Sequence, residues 1–276
     1  MTRKKFYLYP SRLAYQQARV LHQPTLTMIA TDTGFQLSAT DLSNHLSCEH
    51  LTQLRRAVAM GEIKEPHYHD PSLDALIKRG QEHESAYVTY LTEVKGLTVV
   101  DLRGKGVDAT IEAMKDGVDV IVQARLQQDQ WMGYSDILLK VPGKSRIGDW
   151  SYEVQDTKLA QNTRAATILQ LCLYTDLLAQ LQGRTPEKMH VVKPGPDFPS
   201  EEYAFAHFQA YYRLIRRNFE AVMAGPALTT TYPDPTEHCH ICKWWKTCDE
   251  KRHVDDHLSL VAGIRSMHIG ELQKQN

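Results

Sequence analysis

The run Ser151-Tyr-Glu-Val-Gln-Asp-Thr-Lys158 has the pattern of a β-strand and carries a carboxylate and an ammonium two residues apart. Side chains alternate across a strand, so Asp156 and Lys158 project from one face together with Val154, while Glu153 projects from the other. An exposed ion pair would explain this pattern by itself. The neighbouring sequence therefore decides whether the run is only a strand or part of a functional site.

Two similar segments precede this run, at residues 118–126 and 133–141. Both alternate apolar and polar residues, and turns rich in Gly, Asp and Pro separate the segments. Together with residues 151–159 they predict three consecutive antiparallel strands. Asp136 lies on the middle strand, so we expect Asp136 and Asp156 to lie on neighbouring strands of one sheet.

Helical patterns surround these strands. Residues 38–54 have leucines at helical spacing and place Cys48 inside one helix, and a second helix over residues 71–96 carries His83. A long apolar helix is predicted at residues 163–181. The remaining elements are a short strand at 97–102, a short helix at 109–115, a strand at 188–192, a further strand-like segment at 203–208, a helix at 209–224 and a helical tail at 254–260. This order predicts a mixed α/β (α+β) fold.

The composition is that of an ordinary globular protein, since 42% of the 276 residues are hydrophobic and 24% are charged. With 32 basic and 33 acidic residues, the formal net charge of −1 excludes a globally basic nucleic-acid coat but not a local basic groove. No apolar run reaches the roughly 20 residues that span a bilayer, and the first residues lack the apolar segment of a signal peptide. We expect a cytoplasmic protein with no membrane partner.

The five cysteines are unevenly distributed. Cys239, Cys242 and Cys248 crowd near the C-terminus, Cys48 lies far upstream, and Cys172 stands alone in an apolar helix, where a thiol behaves as a small hydrophobe. In a reducing compartment such cysteines are more often metal ligands than disulfides. Their spacing is compatible with a four-cysteine zinc site and with an iron–sulfur cluster. Three histidines could also complete a Cys₃His zinc site: His238, His240 and His253.

The carboxylates suit a hard cation. Asp136 and Asp156 could share one Mg²⁺ or Mn²⁺, and Lys158 would reach the same site, where a nearby metal would favour its neutral form. Gln170 and Tyr174 lie four residues apart on one face of the helix that follows the strands. The amide can donate to a phosphate or hold water, and the phenol can donate to the backbone. Taken alone, the two residues would also be explained as residues of the helix surface or rim. This set matches the needs of phosphodiester hydrolysis.

Four of these pieces occur in the order of a known family: His83, Gly133-Tyr-Ser-Asp136, Asp156-Thr-Lys158 and Gln170-Leu-Cys-Leu-Tyr174. The chain resembles the RecB-like branch of the PD-(D/E)xK nuclease superfamily, in which a cysteine set holds an iron–sulfur cluster. The resemblance covers residues 38–257. No proline precedes Asp136, but a Gly-x-x-Asp pattern is common in that branch.

The resemblance implies a restriction-endonuclease-like core, a central mixed sheet flanked by helices, with a cysteine-stapled helical accessory region. It divides the chain into a lead-in (1–37), a helical region with Cys48 and His83 (38–96), the nuclease core (97–224), and a cluster segment with a helical tail (225–276). It further implies that His83, with Glu84 beside it as a substitute, Asp136 and Asp156 ligate the metal. Lys158 would serve the water, while Gln170 and Tyr174 would bind DNA or steady the site.

The resemblance also implies the cofactors, substrate and partners. A four-iron, four-sulfur cluster would be held by Cys48, Cys239, Cys242 and Cys248, with Zn²⁺ as the alternative. The expected activity is metal-dependent hydrolysis of single-stranded or frayed DNA, in repair and recombination or in CRISPR adaptation, with a helicase or another DNA-processing protein as a partner. Two rival hypotheses are a catalytically idle iron–sulfur module for DNA binding or assembly, and a zinc-stapled protein whose carboxylates are structural.

Overall fold

The computed structural model describes residues 27–67, 71–225 and 231–274. A small antiparallel hairpin comes first, formed by β1 (Ile29–Thr31) and β2 (Gly34–Gln36). Leu37 then forms a parallel β-bridge with Trp131 of the main sheet. Residues 1–26, which make up most of the predicted lead-in, lie outside the described part of the chain.

A six-stranded mixed sheet forms the centre of the fold. Its strands, in spatial order, are β3 (Val99–Asp101), β4 (Val120–Gln128), β5 (Trp131–Ser145), β6 (Gly148–Thr157), β7 (Lys188–Val192) and β8 (Ser200–Ala204). The predicted antiparallel meander is confirmed, because β5 pairs antiparallel with both β4 and β6. The β3–β4 and β6–β7 pairs are parallel, and the β7–β8 pair is antiparallel.

Helices flank this sheet. Their bounds are α1 (Ala39–Ser47), α2 (Glu49–Ala59), α3 (Pro71–Thr89, continued by a π-helical turn, Tyr90–Val94), α4 (Val107–Lys115), α5 (Ala165–Gln182), α6 (Phe205–Ala224), α7 (Trp245–Val254) and α8 (Ser266–Gln273). Helix α5 packs on β4, β5 and β6 and is itself covered by α1 and α6. None of the described helices combines the length and apolar character that a bilayer crossing requires.

The burial of the central strands explains their composition. Leu138 and Val154 belong to the large core shared with α5, whereas Val122 and Ile137 pack with Tyr87 of α3 in a second, smaller core. Neighbouring residues of one strand thus face different helices, and both faces are apolar. The expected mixed α/β class, with a central mixed sheet between helices, is therefore confirmed.

The prediction of one continuous helix over residues 38–54 is wrong at Cys48, which is a candidate ligand. Ser38 caps α1, and its hydroxyl donates to Asp41 at 2.7 Å in a capping box. The chain does not continue as one helix, because Cys48 is extended (φ −163°) and separates α1 from α2. Cys48 therefore lies at a junction between two helices rather than inside one.

Two other boundaries differ from the prediction. The segment at 203–208 changes from strand to helix between Ala204 and Phe205. The predicted tail at 254–260 is a short 3₁₀ turn at Leu258–Leu260, and the helix, α7, comes earlier. Helix α7 has no apolar stripe to reveal it, since Arg252 is its only buried residue among those described. Its position depends on tertiary contacts such as the hydrogen bond from Arg252 Nη1 to the Pro233 carbonyl, at 2.8 Å.

Candidate functional site

Strands β5 and β6 bring two carboxylates side by side. Asp136 and Asp156 each lie one residue beyond the antiparallel pair Ile137–Gln155. The Asp156 side chain is 1% exposed, and its Oδ2 lies 2.7 Å from Lys158 Nζ. Its Oδ1 accepts a hydrogen bond from Gln170 Nε2 at 3.3 Å. Four of the residues expected in the site are therefore in mutual contact or on adjacent positions.

The alternation of side chains along β6 follows the prediction. Asp156 faces the same way as Val154, which packs in the core under α5. Gln155 faces α3, where its Oε1 accepts a hydrogen bond from Tyr87 at 2.9 Å. Glu153 accepts from the Lys188 backbone at 3.1 Å and lies 2.7 Å from His190. Glu153 thus belongs to the β6–β7 pairing and not to the Asp156 group.

Asp156 is poorly solvated, and this affects its protonation. Burial is the main cause that raises the pKa of Asp156 to about 7; Lys158 opposes the rise and the negative charge of Asp136 adds to it. Its Oδ2 accepts no hydrogen bond of good geometry from the described residues, although the Lys158 ammonium touches it. A buried carboxylate oxygen with unused lone pairs is a suitable donor for a cation.

Lys158 follows β6 directly and is about one-third exposed. Burial by itself would lower its pKa, but the charges of Asp156, Asp136 and Glu84 outweigh burial, so the pKa lies above its usual range. Lys158 is therefore a cation in this arrangement. The neutral form of Lys158 that the sequence predicts would require a cation, bound at the carboxylates, that offsets their negative charge.

Asp136 is held by both neighbouring strands. Its Oδ2 accepts hydrogen bonds from the backbone N–H of Thr157 at 2.9 Å and from the Thr157 hydroxyl at 3.1 Å. Its Oδ1 lies 3.5 Å from Gln123 Nε2. These contacts orient the carboxylate at the end of the strand pair, beside Asp156.

The two candidate ligands on α3 have different surroundings. His83 Nε2 lies 3.4 Å from the Val192 carbonyl, and its ring stacks on Phe198 with centroids 5.7 Å apart. The neighbouring Glu84 instead accepts a hydrogen bond from Gln123 at 2.9 Å. Burial, followed by the charge of Asp136, raises the pKa of Glu84 to about 7. Among the described residues, Glu84 rather than His83 thus shares a hydrogen-bond network with Asp136.

Gln123 is a site residue that the sequence analysis missed. It lies in the middle of β4 and has a left-handed backbone (φ +53°), which is costly for a side chain of this kind. Its amide reaches Glu84 and Asp136 at once. Nothing in the local sequence reveals this conformation. We name Glu84, Asp136, Asp156, Lys158 and Gln170 the carboxylate site, with Gln123 as a bridge between two of its members.

The glycine at position 133 has a steric explanation. A β-carbon at Gly133 would lie 2.2 Å from Cε1 of Tyr174, so the tyrosine ring occupies the space that a side chain would need. Tyr174 is 7% exposed. Burial, followed by the charges of Asp156 and Asp136, raises its pKa, so the phenol stays protonated beside them. Gly133 therefore allows Tyr174 to pack under the carboxylates.

The four expected cluster cysteines line one pocket, together with the apolar residues Leu51, Leu54, Trp244 and Trp245. We name Cys48, Cys239, Cys242 and Cys248 the cysteine pocket. Burial raises the pKa values of Cys48, Cys242 and Cys248, in the last case to about 11, and the neighbouring cysteines contribute to each rise. Cys172 is fully buried in α5, apart from the pocket, as expected.

As the side chains are arranged, no three His, Cys, Asp or Glu residues in the described part of the chain converge closely enough to hold one metal ion. The carboxylate site offers adjacent oxygens and the cysteine pocket offers four sulfurs around a shared space. No family model matches the chain, and a search of curated proteins finds no match.

Proposed function

We propose that this chain is a divalent-metal-dependent DNA nuclease of the RecB-like type, with a restriction-endonuclease-like core. The proposal rests mainly on one observation: the buried Oδ2 of Asp156 lies beside Asp136, and its contact within the described residues is with the ammonium of Lys158. A purely structural ion pair does not require a second carboxylate on the adjacent strand. A site that handles phosphate and a cation requires both.

The chemistry of the donor atoms suits Mg²⁺ or Mn²⁺. Asp136, Asp156 and Glu84 supply the oxygens that these hard cations prefer, and His83 next to Glu84 is the nitrogen donor implied by the family resemblance. When bound, such an ion supplies positive charge to a phosphate and acidifies water. The ion would also neutralise the negative charge of Asp156, which the Lys158 ammonium balances in this arrangement.

The other residues of the site would position the reactants. Lys158, held by Asp156, would orient the attacking water and accept its proton once the carboxylate charge is neutralised. Gln170 keeps Asp156 in place through its amide. Thr157 and Gln123 hold Asp136 from two strands. Attack in line with the departing oxygen would leave a new DNA end.

We further propose that the cysteine pocket holds a four-iron, four-sulfur cluster. The four thiols line one pocket, and the family resemblance favours a cluster there over a single tetrahedral Zn²⁺. The cluster would staple α1 and α2 to the segment that contains α7. Single-stranded or frayed DNA remains the proposed substrate, in repair and recombination or in CRISPR adaptation, with a helicase as a candidate partner.

A cleavage assay with end-labelled single-stranded DNA and Mn²⁺ tests the activity. We expect Lys158→Met to lower the rate about 10²–10⁴-fold, the range for loss of a proton-transfer group. Lys140→Met is the matched control, because Lys140 forms an equivalent ion pair with Asp119 elsewhere in the sheet. We expect this control and Cys172→Ala to keep the wild-type rate, and EDTA to abolish cleavage. Equal cleavage by Lys158→Met and wild type would contradict the mechanism.

A further inference from the structure

A groove of about 660 Å³ opens beside Lys158, between α3 and the segment that joins β6 to α5. Leu76, Ile77 and Gly80 of α3 form one wall. The other wall consists of residues 157–164 and the first turn of α5. Lys158 belongs to the groove and to the carboxylate site, so a molecule in the groove would extend directly to Asp156.

The charge of the groove is one-sided. Its described lining includes Lys158, Arg164 and Lys193 but no aspartate or glutamate. Arg164 is exposed at the N-cap of α5, and its guanidinium forms no ion pair within the described ranges. Lys158 and Lys193 are paired with Asp156 and Glu201, so a polyanion would meet mainly Arg164 and the exposed third of Lys158. It would also meet the N-terminal end of an 18-residue helix, which favours negative charge.

A buried lysine fixes the shape of the cationic wall. Lys193 is 7% exposed, and its ammonium donates to the Ala160 carbonyl at 3.0 Å and to the Thr163 hydroxyl at 2.8 Å. It also lies 3.4 Å from Glu201 on β8. These contacts tie the loop before α5 to the sheet, so Arg164 projects from a fixed support.

Gly80 is unexpected in the apolar wall. It lies inside α3, where glycine weakens a helix, and its backbone is not left-handed. No atom lies within 4 Å of the position that a β-carbon would occupy, so packing in the protein does not require glycine there. The open space above Gly80 is part of the groove, and glycine keeps it free for a molecule that approaches the helix closely.

We propose that this groove binds a single DNA strand and leads it to the carboxylate site. Phosphates would follow the wall of Lys158 and Arg164, and unpaired bases would rest on Leu76 and Ile77 above Gly80. Leu76 is 54% exposed, so its apolar surface is open to the faces of unpaired bases. The inference rests on the proposed nuclease function, because it assigns the substrate strand of the same site.

Binding can be measured without cleavage, as the fluorescence anisotropy of a labelled oligothymidylate in EDTA. We expect Gly80→Leu to fill the groove and weaken binding at least tenfold, while Gly80→Ala has a smaller effect. Gly270→Leu is the matched control, because Gly270 also lies in a helix with open space around its missing β-carbon. It should bind like the wild type. Circular dichroism and thermal melting establish that all three variants fold.

A charge variant gives an independent measurement. Arg164→Ala should weaken binding about threefold to tenfold and reduce the slope of log K against log salt by about 0.7, the value for one phosphate contact on a single strand. Arg213→Ala, an exposed cation of α6 outside the groove, should change neither quantity.

The outcomes separate the groove from the nuclease. Wild-type affinity in folded Gly80→Leu overturns the groove proposal, even if the protein cleaves DNA. Blunt duplex DNA bound as tightly as the single strand, and weakened equally by Gly80→Leu, overturns the assignment to one strand. Binding that Gly80→Leu abolishes, in a protein that does not cleave with Mn²⁺, supports the groove and refutes the nuclease activity.

Discussion

The carboxylate site and the cysteine pocket are assembled in different ways. Asp136 and Asp156 come from neighbouring strands whose backbones are hydrogen-bonded along their length. The cysteine pocket joins parts of the chain that are far apart in sequence. Outside the thiols, the contacts between those parts are side-chain contacts such as His50–Thr231 at 2.9 Å, across 181 residues, and Arg56–Gly225 at 3.1 Å.

This difference indicates which contacts hold the side chains of each site in place. The sheet holds the carboxylates at close range although their charges repel, because the hydrogen bonds between β5 and β6 fix the two strands. The cysteine pocket has few polar contacts to hold it, so a bound cofactor would contribute much of its rigidity. If the cysteine pocket holds a cofactor, its loss should therefore loosen the pocket while the sheet keeps its geometry.

The largest effect is expected from Cys48→Ser. If the cysteine pocket holds a cluster, this variant should lose most of its bound iron and its brown colour. It should also lose roughly 5 kcal/mol of stability, or about 10–20 °C in melting temperature, because metal binding and folding are coupled. Hydrogen exchange should show lost protection in α7 and unchanged protection in β5 and β6.

Cys172→Ala serves as the control, because Cys172 is buried in the core apart from the pocket. It should keep its iron and colour. If the wild-type protein is colourless and contains zinc, the cysteine pocket is a zinc site and the cluster proposal is wrong. Unchanged metal content in Cys48→Ser would remove Cys48 from the ligands altogether.

An intermediate effect is expected from Asp156→Asn as the pH is raised. Because the pKa of Asp156 is about 7 in the fold and 3.8 in its unperturbed form, ionisation costs free energy only in the folded state. The favourable contribution of protonated Asp156 to the stability of the fold is complete below about pH 4 and is lost as the pH rises through 7. The asparagine stays neutral, so the metal-free variant should become more stable than the wild type above pH 7. The gain should be a few kcal/mol, at about 1.4 kcal/mol per pKa unit, reduced by loss of the Lys158 contact.

Urea unfolding in EDTA at several pH values between 4 and 8 measures this difference. Asp119→Asn provides a control of opposite sign. Hydrogen bonds from Lys140 and Thr98 lower the pKa of Asp119 to about 2, so its contribution is present above pH 3.8 and is lost as the pH falls through 2. This variant should be less stable than the wild type at neutral pH. If the difference in unfolding free energy between Asp156→Asn and the wild type did not change with pH, burial of the Asp156 charge would not be the cause of the destabilisation.

The smallest effect is expected from Gly133→Ala, at about 1–3 kcal/mol, because the new methyl group would overlap the Tyr174 ring. The same substitution in a Tyr174→Ala background should cost much less, which gives a coupling energy near 1 kcal/mol or more in a double-mutant cycle. Gly106→Ala is the control, since nothing lies within 4 Å of its missing β-carbon. Additive effects of Gly133→Ala and Tyr174→Ala would contradict the steric role.

The strand meander could be predicted because its signal is local. Alternation along 133–141 and 151–159 identifies the strands, and their consecutive order implies antiparallel pairing. That pairing is enough to bring Asp136 beside Asp156. Gln170 could be anticipated because the helix after β6 must pack back on the sheet.

The rest of the carboxylate site could not be predicted in this way. His83 and Glu84 are neighbours on one helix, separated by about 100° around its axis. Which of them faces Asp136 depends on the position of Phe198, far along the chain, against which His83 stacks. The role of Gln123 depends on a positive φ in a strand, and no residue pattern encodes that conformation.

By itself, the sequence determined the mixed class, the order of the central strands and the set of carboxylate, lysine and cysteine side chains. These features depend on periodicity and residue chemistry within short windows. Three further features appear only in the folded chain: Glu84 joins Asp136, Cys48 ends a helix within the cysteine pocket, and a cationic groove opens beside Lys158. Each of these depends on contacts between distant segments, whose packing is set by the whole core rather than by any local pattern.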